Sequence, residues 1–119
     1  MTIREVSEKF ELSADTIRYY ERIGLIPHVP RKSNGIRDFD QTSCEWLSFI
    51  KCMRAAGVQI EALIRFVTLK QEGGREEDCR EILLEQRERI ERQIEESQKT
   101  LERLNYKISH FDEIIRGRK

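Results

Sequence analysis

Several features are scarce in this 119-residue chain, and each scarcity argues against a class of protein. No apolar run approaches the roughly twenty residues that span a bilayer, and the amino end lacks the charged-then-apolar pattern of a signal peptide. The three cysteines are odd in number and have no paired spacing, which argues against a secreted disulfide scaffold and favours reduced thiols. We therefore expect a cytoplasmic protein without a membrane partner.

The chain also has no excess of charge and no pattern typical of an enzyme. Lysine plus arginine and aspartate plus glutamate number 22 each, so net charge alone does not indicate a nucleic-acid partner. A DNA-binding protein can still concentrate its cations on one face. No nucleophile stands beside a base, no phosphate loop is present, and His28 and His110 are isolated. The sequence predicts a non-enzymatic protein with no catalytic residue, cofactor or metal site.

The most informative stretch is a short helix with both ends marked, within residues 13–27. Ser13 is a good N-cap, Gly24 can take the left-handed conformation that ends a helix, and Pro27 cannot continue one. The exposed side carries the residue types that contact phosphates and base edges in a major groove: Thr16, Arg18, Tyr19 and Arg22. The alternative is an ordinary surface helix with its two tyrosines packed inward.

A first helix precedes this one and a hairpin follows it. Residues 2–10 predict a helix that opens with a capping box of Thr2 and Glu5, followed by a tight link without the usual glycine. Asn34-Gly35 is the strongest short signal for a hairpin turn, and residues 36–39 alternate as a short strand should. The order predicts a winged helix-turn-helix, although a plain connecting hairpin is the alternative. The cations of this hairpin are Arg31, Lys32 and Arg37.

Three further helices complete a mostly α fold. Residues 43–56 predict a third helix, opened by a capping box of Thr42 and Glu45 and stopped at Gly57. Residues 60–71 predict a fourth. The expected apolar faces are Trp46, Phe49, Ile50 and Met53 on the third helix and Ile60, Leu63, Ile64 and Val67 on the fourth.

The last helix is long, with no proline after Arg75 and no glycine between Gly74 and Gly117. Apolar residues recur three and four apart in its second half, as in a coiled coil: Leu101, Leu104, Ile108, Phe111 and Ile115. About forty residues make a rod of roughly 60 Å, which needs a partner to cover this stripe. We expect a homodimer rather than a helix folded back on its own domain. The predicted domains are residues 1–72, which bind DNA, and residues 75–116, the dimerisation coiled coil.

The chain resembles the MerR-type transcriptional regulators in a specific order of motifs. The likeness rests on Asp15-Thr16-Ile17-Arg18-Tyr19-Tyr20-Glu21 with Gly24-Leu25-Ile26-Pro27, on Gly35-Ile36-Arg37-Asp38-Phe39, and on Phe49-Ile50 with Arg54-Ala55-Ala56-Gly57. It covers about the first 70 residues by motif and the rest by architecture, since these regulators dimerise through a long helix. The stretch from Trp46 to Gly57, which includes Cys52, is most similar to the aldehyde- and thiol-stress branch.

The chain departs from the family pattern in three places. Ile36 stands where a wing aromatic is expected. Gln59 stands where a serine or threonine cap is usual, so the start of the fourth helix is expected to fray. The sequence ends at Lys119 without the ligand-binding domain of drug-sensing relatives or the cysteine loop of metal-sensing ones. The resemblance therefore disfavours both kinds of sensing.

The resemblance implies a dimer that reads an inverted repeat within an overlong promoter spacer. The activated dimer would bend and undertwist this DNA, so that RNA polymerase reads both promoter elements. Arg18 and Tyr19 are the candidates for contacts deep in the groove, with Thr16 and Tyr20 in support. The candidates for phosphate contacts are Lys32, Arg37 and Arg54.

The cysteines raise the question of a sensor. Cys52 stands beside Lys51, with Arg54 nearby, and cations stabilise a thiolate. From the residues alone, a small half-buried core residue is the simpler interpretation of Cys52. The resemblance instead favours Cys52 as the thiol that an electrophile, such as an aldehyde, modifies. Cys44 is second, because it lies in the first turn of a capped helix and projects away from the apolar face. Cys79 fits a packing role.

Two other functions are open at this stage. An architectural DNA-bending protein would share the winged helix-turn-helix and need no reactive thiol. A coiled-coil interaction protein would bind protein through its helical head. A steeply salt-dependent mobility shift of DNA would separate the DNA-binding interpretations from this one, because only phosphate neutralisation produces a steep slope. The operator, the effector and the balance of activation and repression are also open, and the effector could be a small molecule held non-covalently at the dimer interface.

Overall fold

The computed structural model describes residues 1–117 and places five helices in them. They are α1 (Ile3–Phe10), α2 (Ala14–Arg22), α3 (Gln41–Ala55), α4 (Ile60–Glu72) and α5 (Glu76–Gly117). The mostly helical fold with a long last helix is therefore confirmed. The chain divides into two compact units, Met1–Gln86 and Arg87–Lys119. Lys119, at which the sequence ends, lies outside the described residues.

The helix-turn-helix is built from local caps. Thr2 and Glu5 form the predicted capping box, with backbone-to-side-chain bonds of 3.1 and 2.9 Å. Ser13 Oγ accepts from the Thr16 N–H at 3.0 Å and so caps α2. Glu11 takes the left-handed conformation in the turn, with φ 54° and ψ 42°. The missing glycine of this turn is therefore replaced by a glutamate that adopts the glycine-like backbone.

The wing hairpin forms at the predicted turn but contains no regular strand among the described residues. The Gly35 N–H donates to the Lys32 carbonyl at 2.9 Å, and Gly35 has φ 85°. Residues 36–39 were predicted to form a strand, and this prediction is wrong, since Arg31 and Arg37 make only an isolated antiparallel bridge. Pro30 has no N–H to donate, so a longer ladder cannot form on that side.

Helix α3 begins two residues earlier than predicted. Asp40 is its N-cap, and the carboxylate accepts from the backbone N–H of Ser43 at 2.8 Å and from its hydroxyl at 2.9 Å. The predicted capping box of Thr42 and Glu45 is wrong, because Thr42 lies inside the helix and Glu45 accepts from the Gln41 amide. A carboxylate that accepts two bonds at the positive helix end is the stronger cap.

The first unit has a main core and a second, smaller cluster of buried residues. The fully buried side chains come from α1 to α4 and the segments between them: Val6, Ile17, Leu25, Ile26, Phe39, Leu47, Ile50, Leu63 and Val67. On α4, Ala62 and Phe66 are buried in place of the predicted Ile60 and Ile64, which are half-buried. A second cluster joins α4 to the start of α5 and contains Ala62, Phe66, Cys79 and Ile82. The packing role of Cys79 is therefore confirmed.

The second unit, within α5, leaves its apolar residues exposed. Leu101, Leu104, Ile108, Phe111 and Ile115 are 48%, 55%, 49%, 61% and 61% exposed. An apolar stripe of this kind is typical of a surface that another helix covers. Among residues 1–117, no helix is long and apolar enough to cross a membrane.

Candidate nucleic-acid interface

The exposed side of α2 brings one aromatic ring and two guanidinium groups together. Tyr19 is 42% exposed, and the Arg22 guanidinium lies over its ring at 5.3 Å from the centroid. The exposed Arg18 donates from Nη1 to Asp15 Oδ1 at 3.0 Å. Because Tyr19 faces solvent and only Tyr20 is half-buried, the alternative with both tyrosines packed inward does not hold.

Thr16 and Tyr20 lie closer to the framework of α2 than to its open surface. The Ser13 hydroxyl donates to Thr16 Oγ1 at 2.8 Å, and the backbone N–H of Thr16 donates to Ser13 Oγ. The ring of Tyr20 lies 6.4 Å from that of Tyr19, in a tilted arrangement. Both residues are half-buried, so they brace the helix that presents Arg18 and Tyr19.

Glu21 is a buried carboxylate that joins α2 to the wing. Its Oε1 accepts from Arg37 Nε at 2.6 Å, and its Oε2 accepts from the Val29 N–H at 2.7 Å. The Glu21 residue is 6% exposed. Burial raises the pKa of Glu21, but the bonds from Arg37 and Val29 outweigh burial and hold the pKa below its ordinary value.

Glu21 was not among the predicted site residues. One signal was available: Glu21 lies four residues after Ile17, on the stripe of α2 that is buried. A charged residue on a buried stripe needs a partner, because an unpaired buried charge is costly. The sequence alone did not indicate that the partner is Arg37.

The wing presents further cations and one apolar side chain. Lys32 is exposed, and the exposed Arg31 donates from Nη1 to the Gly35 carbonyl at 3.1 Å. Ile36 is 57% exposed, at the position where a wing aromatic was expected. Arg37 is less available than predicted, because Glu21 holds its Nε and its side chain is only 25% exposed.

Arg54 lies at the end of α3 and has an internal partner. Its Nη1 donates to the Val58 carbonyl at 2.7 Å and so braces the turn between α3 and α4. The Arg54 residue is exposed. The structure does not bring Arg54 into contact with the cations of α2 or the wing in any described hydrogen bond or ion pair.

The two candidate sensor thiols have opposite environments. Cys52 is exposed in the last turn of α3, so the simpler interpretation as a half-buried core residue is wrong. Cys44 is 7% exposed, with Sγ 3.9 Å from Met1 Sδ, so its predicted projection away from the core is also wrong. The buried face of α3 includes Cys44, Leu47 and Ile50, and so differs from the predicted one.

The two thiols lie at opposite ends of α3. Cys44 lies in the first turn and is buried, whereas Cys52 lies in the last turn and is exposed. Its neighbour Lys51 lies 3.9 Å from Glu11. Residues 1–117 contain no group of three or more histidine, cysteine, aspartate or glutamate side chains placed to hold a metal ion.

Comparison with known proteins places this arrangement in a family. Residues 1–73 match the family described as "MerR HTH family regulatory protein", and residues 44–106 match "MerR, DNA binding". The chain is 53% identical over 91 residues to the HTH-type transcriptional regulator AdhR of Bacillus subtilis (strain 168). That match spans 76% of this chain but only 65% of AdhR, which is less than two thirds of its length.

Two solved structures share the fold. A MerR family transcriptional regulator from Listeria monocytogenes superposes with a TM-score of 0.84 at 45% identity, covering 94% of this chain and 86% of that one. HiNmlR, described as a MerR family regulator lacking the sensor domain and bound to promoter DNA, superposes with a TM-score of 0.77 at 29% identity. The second match covers 94% of this chain and 90% of HiNmlR.

The fold and the family matches define the class of protein, which is that of the helix-turn-helix regulators. The chain belongs to the MerR family, as its resemblance predicted. Its identity to AdhR is consistent with the predicted branch of that family. The matched families and relatives are transcriptional regulators, a class without enzymatic activity, and this agrees with the prediction that the chain is not an enzyme.

Proposed function

We propose that this protein is a dimeric, sequence-specific regulator that distorts an overlong promoter spacer in response to a stress signal. The observation that carries the proposal is the exposed pair of Arg18 and Tyr19 on the capped helix α2. Cationic and aromatic side chains of this kind reach phosphates and base edges in a major groove. The fold similarity to HiNmlR, which is bound to promoter DNA in its structure, supports the same partner here.

The proposal assigns DNA contacts to residues 1–72 and dimerisation to residues 75–116. Arg18 and Tyr19 enter the groove, while Thr16 and Tyr20 support α2. Arg37 and Arg54 each use one guanidinium nitrogen inside the protein, and a guanidinium has donors left for phosphates. The remaining phosphate contact is assigned to Lys32, which is exposed on the wing.

The dimer is proposed from the apolar stripe of α5. Five large apolar side chains, each 48% to 61% exposed, recur at heptad spacing in the second unit. A second copy of the chain is the simplest cover, and a two-fold dimer matches an inverted repeat in the operator. Bending and undertwisting the spacer costs a few kcal/mol by elastic estimates, and contacts to the bent form offset this cost. RNA polymerase then recognises both promoter elements, so its contact with the regulator is indirect.

The signal is proposed to be an electrophile or oxidant sensed at Cys52. The exposure of Cys52 supports this assignment, and the likeness to AdhR is consistent with a stress response. With an aldehyde, the thiolate sulfur forms a bond to the carbonyl carbon, and the carbonyl oxygen takes a proton from water to give a hemithioacetal. We expect Cys52→Ala to keep DNA binding and to lose induction by the aldehyde in a transcription assay. A normal response of this variant would refute Cys52 as the sensor.

A footprint of the reduced protein on its own upstream promoter region, with and without an aldehyde, tests the proposal. We expect a symmetric footprint in the promoter spacer and a changed pattern or transcript level on addition of the aldehyde. Arg18→Ala should weaken binding by roughly five- to 150-fold, because an arginine that reads a base edge contributes about 1–3 kcal/mol. A footprint without two-fold symmetry, or full affinity in Arg18→Ala, would contradict the proposal.

The second candidate function is an architectural protein that bends DNA without a sensor. It is favoured by the observation that Lys51, the cation beside Cys52 in the sequence, lies with Nζ 3.9 Å from Glu11 Oε2 and so already has a carboxylate partner. Such a protein would give the same symmetric footprint and the same bend, but no electrophile would change either one. The cytoplasm is the proposed location for both candidates, since both act on promoter DNA.

A further inference from the structure

We infer that Glu21 is a positioning residue for DNA binding, which holds the wing at a fixed place beside the recognition helix α2. The inference rests on the proposed function, because it specifies how two DNA-contacting elements are held in register. Glu21 itself is 6% exposed and therefore does not reach DNA. It acts through Arg37 and through the segment that contains Val29.

The geometry supports a clasp between separate elements. Glu21 ends the buried stripe of α2, while Val29 precedes the wing and Arg37 lies on its returning arm. Two bonds of 2.6 and 2.7 Å use both oxygens of one carboxylate. Charge-assisted bonds of this length are roughly twice as strong as neutral ones. One carboxylate on α2 therefore holds both the segment that leads into the hairpin and the returning arm of the hairpin.

The tip of the wing has no described hydrogen bond to α2. Arg31 and Arg37 make an isolated bridge, and the hairpin lacks a regular strand that would hold it rigid. The other bonds described for the tip run within the hairpin, from Arg31 to the Gly35 carbonyl and from the Ile36 N–H to Asn34. The base of the hairpin is held to the amino end, since the Met1 amino group donates to the Phe39 carbonyl at 2.8 Å and the Phe39 N–H donates to the Met1 carbonyl at 2.9 Å. The described hydrogen bonds that tie this segment to α2 itself are the two that Glu21 accepts.

The direction in which DNA affinity changes when Glu21 is replaced distinguishes a positioning role from simple repulsion of phosphates. Removing a negative charge near DNA raises affinity when that charge acts only by repelling phosphates. A positioning role predicts the opposite, because the wing loses its fixed place when the carboxylate is replaced. We expect Glu21→Gln to weaken binding about tenfold and to lower the slope of log affinity against log salt by about one.

Hydroxyl-radical footprinting of the full chain on its promoter separates the two roles. With Glu21→Gln we expect protection to be lost at the outer phosphates that the wing covers and kept at the bases under α2. Glu8→Gln is the matched control, since it makes the same chemical change at an exposed carboxylate of the same unit. Equal or tighter binding by Glu21→Gln, with full protection, would overturn the inference.

A second variant keeps the test decisive if Glu21→Gln fails to fold, which circular dichroism would reveal. Arg37→Lys keeps the positive charge for a phosphate but lacks the Nε that Glu21 holds. A positioning role predicts loss of the outer protection in this variant, whereas a pure phosphate contact predicts that lysine retains it. If the wild-type protein protects no promoter DNA, the proposed function fails. If it does and both variants match it, only the inference fails.

Discussion

Gln86 on α5 caps the amino end of α4 through Gln59. Its Oε1 accepts from the Gln59 backbone N–H at 3.1 Å, and its Nε2 donates to the Gln59 side-chain oxygen at 3.2 Å. Gln59 is the N-cap residue of α4 and makes no side-chain cap bond of its own. The expected fraying of this helix is thus countered by a side chain 27 residues further along the chain.

Replacing Gln86 should destabilise the first unit. Gln86→Ala removes the acceptor for a part-buried N–H, and the loss of a helix cap costs about 1 kcal/mol. Gln59→Ser in the Gln86→Ala background should restore part of the lost stability, because a serine at the N-cap supplies its own cap. Urea unfolding followed by circular dichroism measures both effects. Gln98→Ala, at an exposed position of α5, is the control, and equal loss in the two alanine variants would contradict this role for Gln86.

Glycine at position 11 should stabilise the helix-turn-helix. Glu11 holds a left-handed backbone, which costs an L-residue about 1 kcal/mol and costs glycine almost nothing. Glycine also loses more chain entropy on folding, and this offsets part of the gain. We therefore expect Glu11→Gly to raise the free energy of unfolding by about 0.5 kcal/mol. Thermal unfolding checks the change. Glu11→Ala keeps the strain, so a similar rise in that variant would show that relief of strain is not the cause.

Stability should fall at acid pH, partly through Glu21. A carboxyl whose folded pKa is depressed stabilises fully above its unfolded pKa of about 4.3. That contribution is lost as the pH falls through the lower folded pKa. We expect the decline of the melting temperature between about pH 5 and pH 3 to be shallower in Glu21→Gln. Some decline should persist, since the bonds from Ser43 also hold the pKa of Asp40 below its ordinary value. Parallel curves for variant and wild type would exclude Glu21 as a source.

The thiols should differ in accessibility in the native protein. Cys52 is exposed, while Cys44 and Cys79 are 7% and 4% exposed. We expect N-ethylmaleimide to modify Cys52 at least about tenfold faster than either of the others, because reaction requires access. Peptide mass spectrometry at short times measures the ratio, and the difference should disappear in urea. If Cys44 were modified before Cys52, the prediction would fail, and the amino end that covers Cys44 would have to open readily.

Charged residues on the α5 stripe should dissociate the proposed dimer. Leu104→Glu with Phe111→Glu places two carboxylates on an apolar seam, where an unpaired buried charge is costly. Analytical ultracentrifugation should give a monomer for this variant and a dimer for the wild type. Tyr106→Glu, at a 71% exposed position off the seam, is the control and should stay dimeric. A wild-type monomer at micromolar concentration would refute the dimer.

The parts of the candidate site that could be predicted depend on neighbours in sequence. Ser13, Arg18 and Tyr19 were placed correctly, because a cap and an exposed helix face are set by spacing within two turns. The start of α3 was missed for a local reason, since Asp40 and Thr42 are both cap-forming residues and the carboxylate is the stronger one. The strand was missed because alternation cannot reveal that Pro30 withholds a donor from its partner.

The sequence by itself determined the family, the order of the helices and the capped helix α2, because motifs and caps involve residues that lie close together in the sequence. The tertiary structure alone decided which polar groups meet. Glu21 holds Arg37 across 16 residues, Gln86 caps α4 across 27, and Cys44 is covered beside Met1 across 43. Such pairs form only when packing of the apolar core brings distant segments together, and no local pattern encodes which partners will face each other.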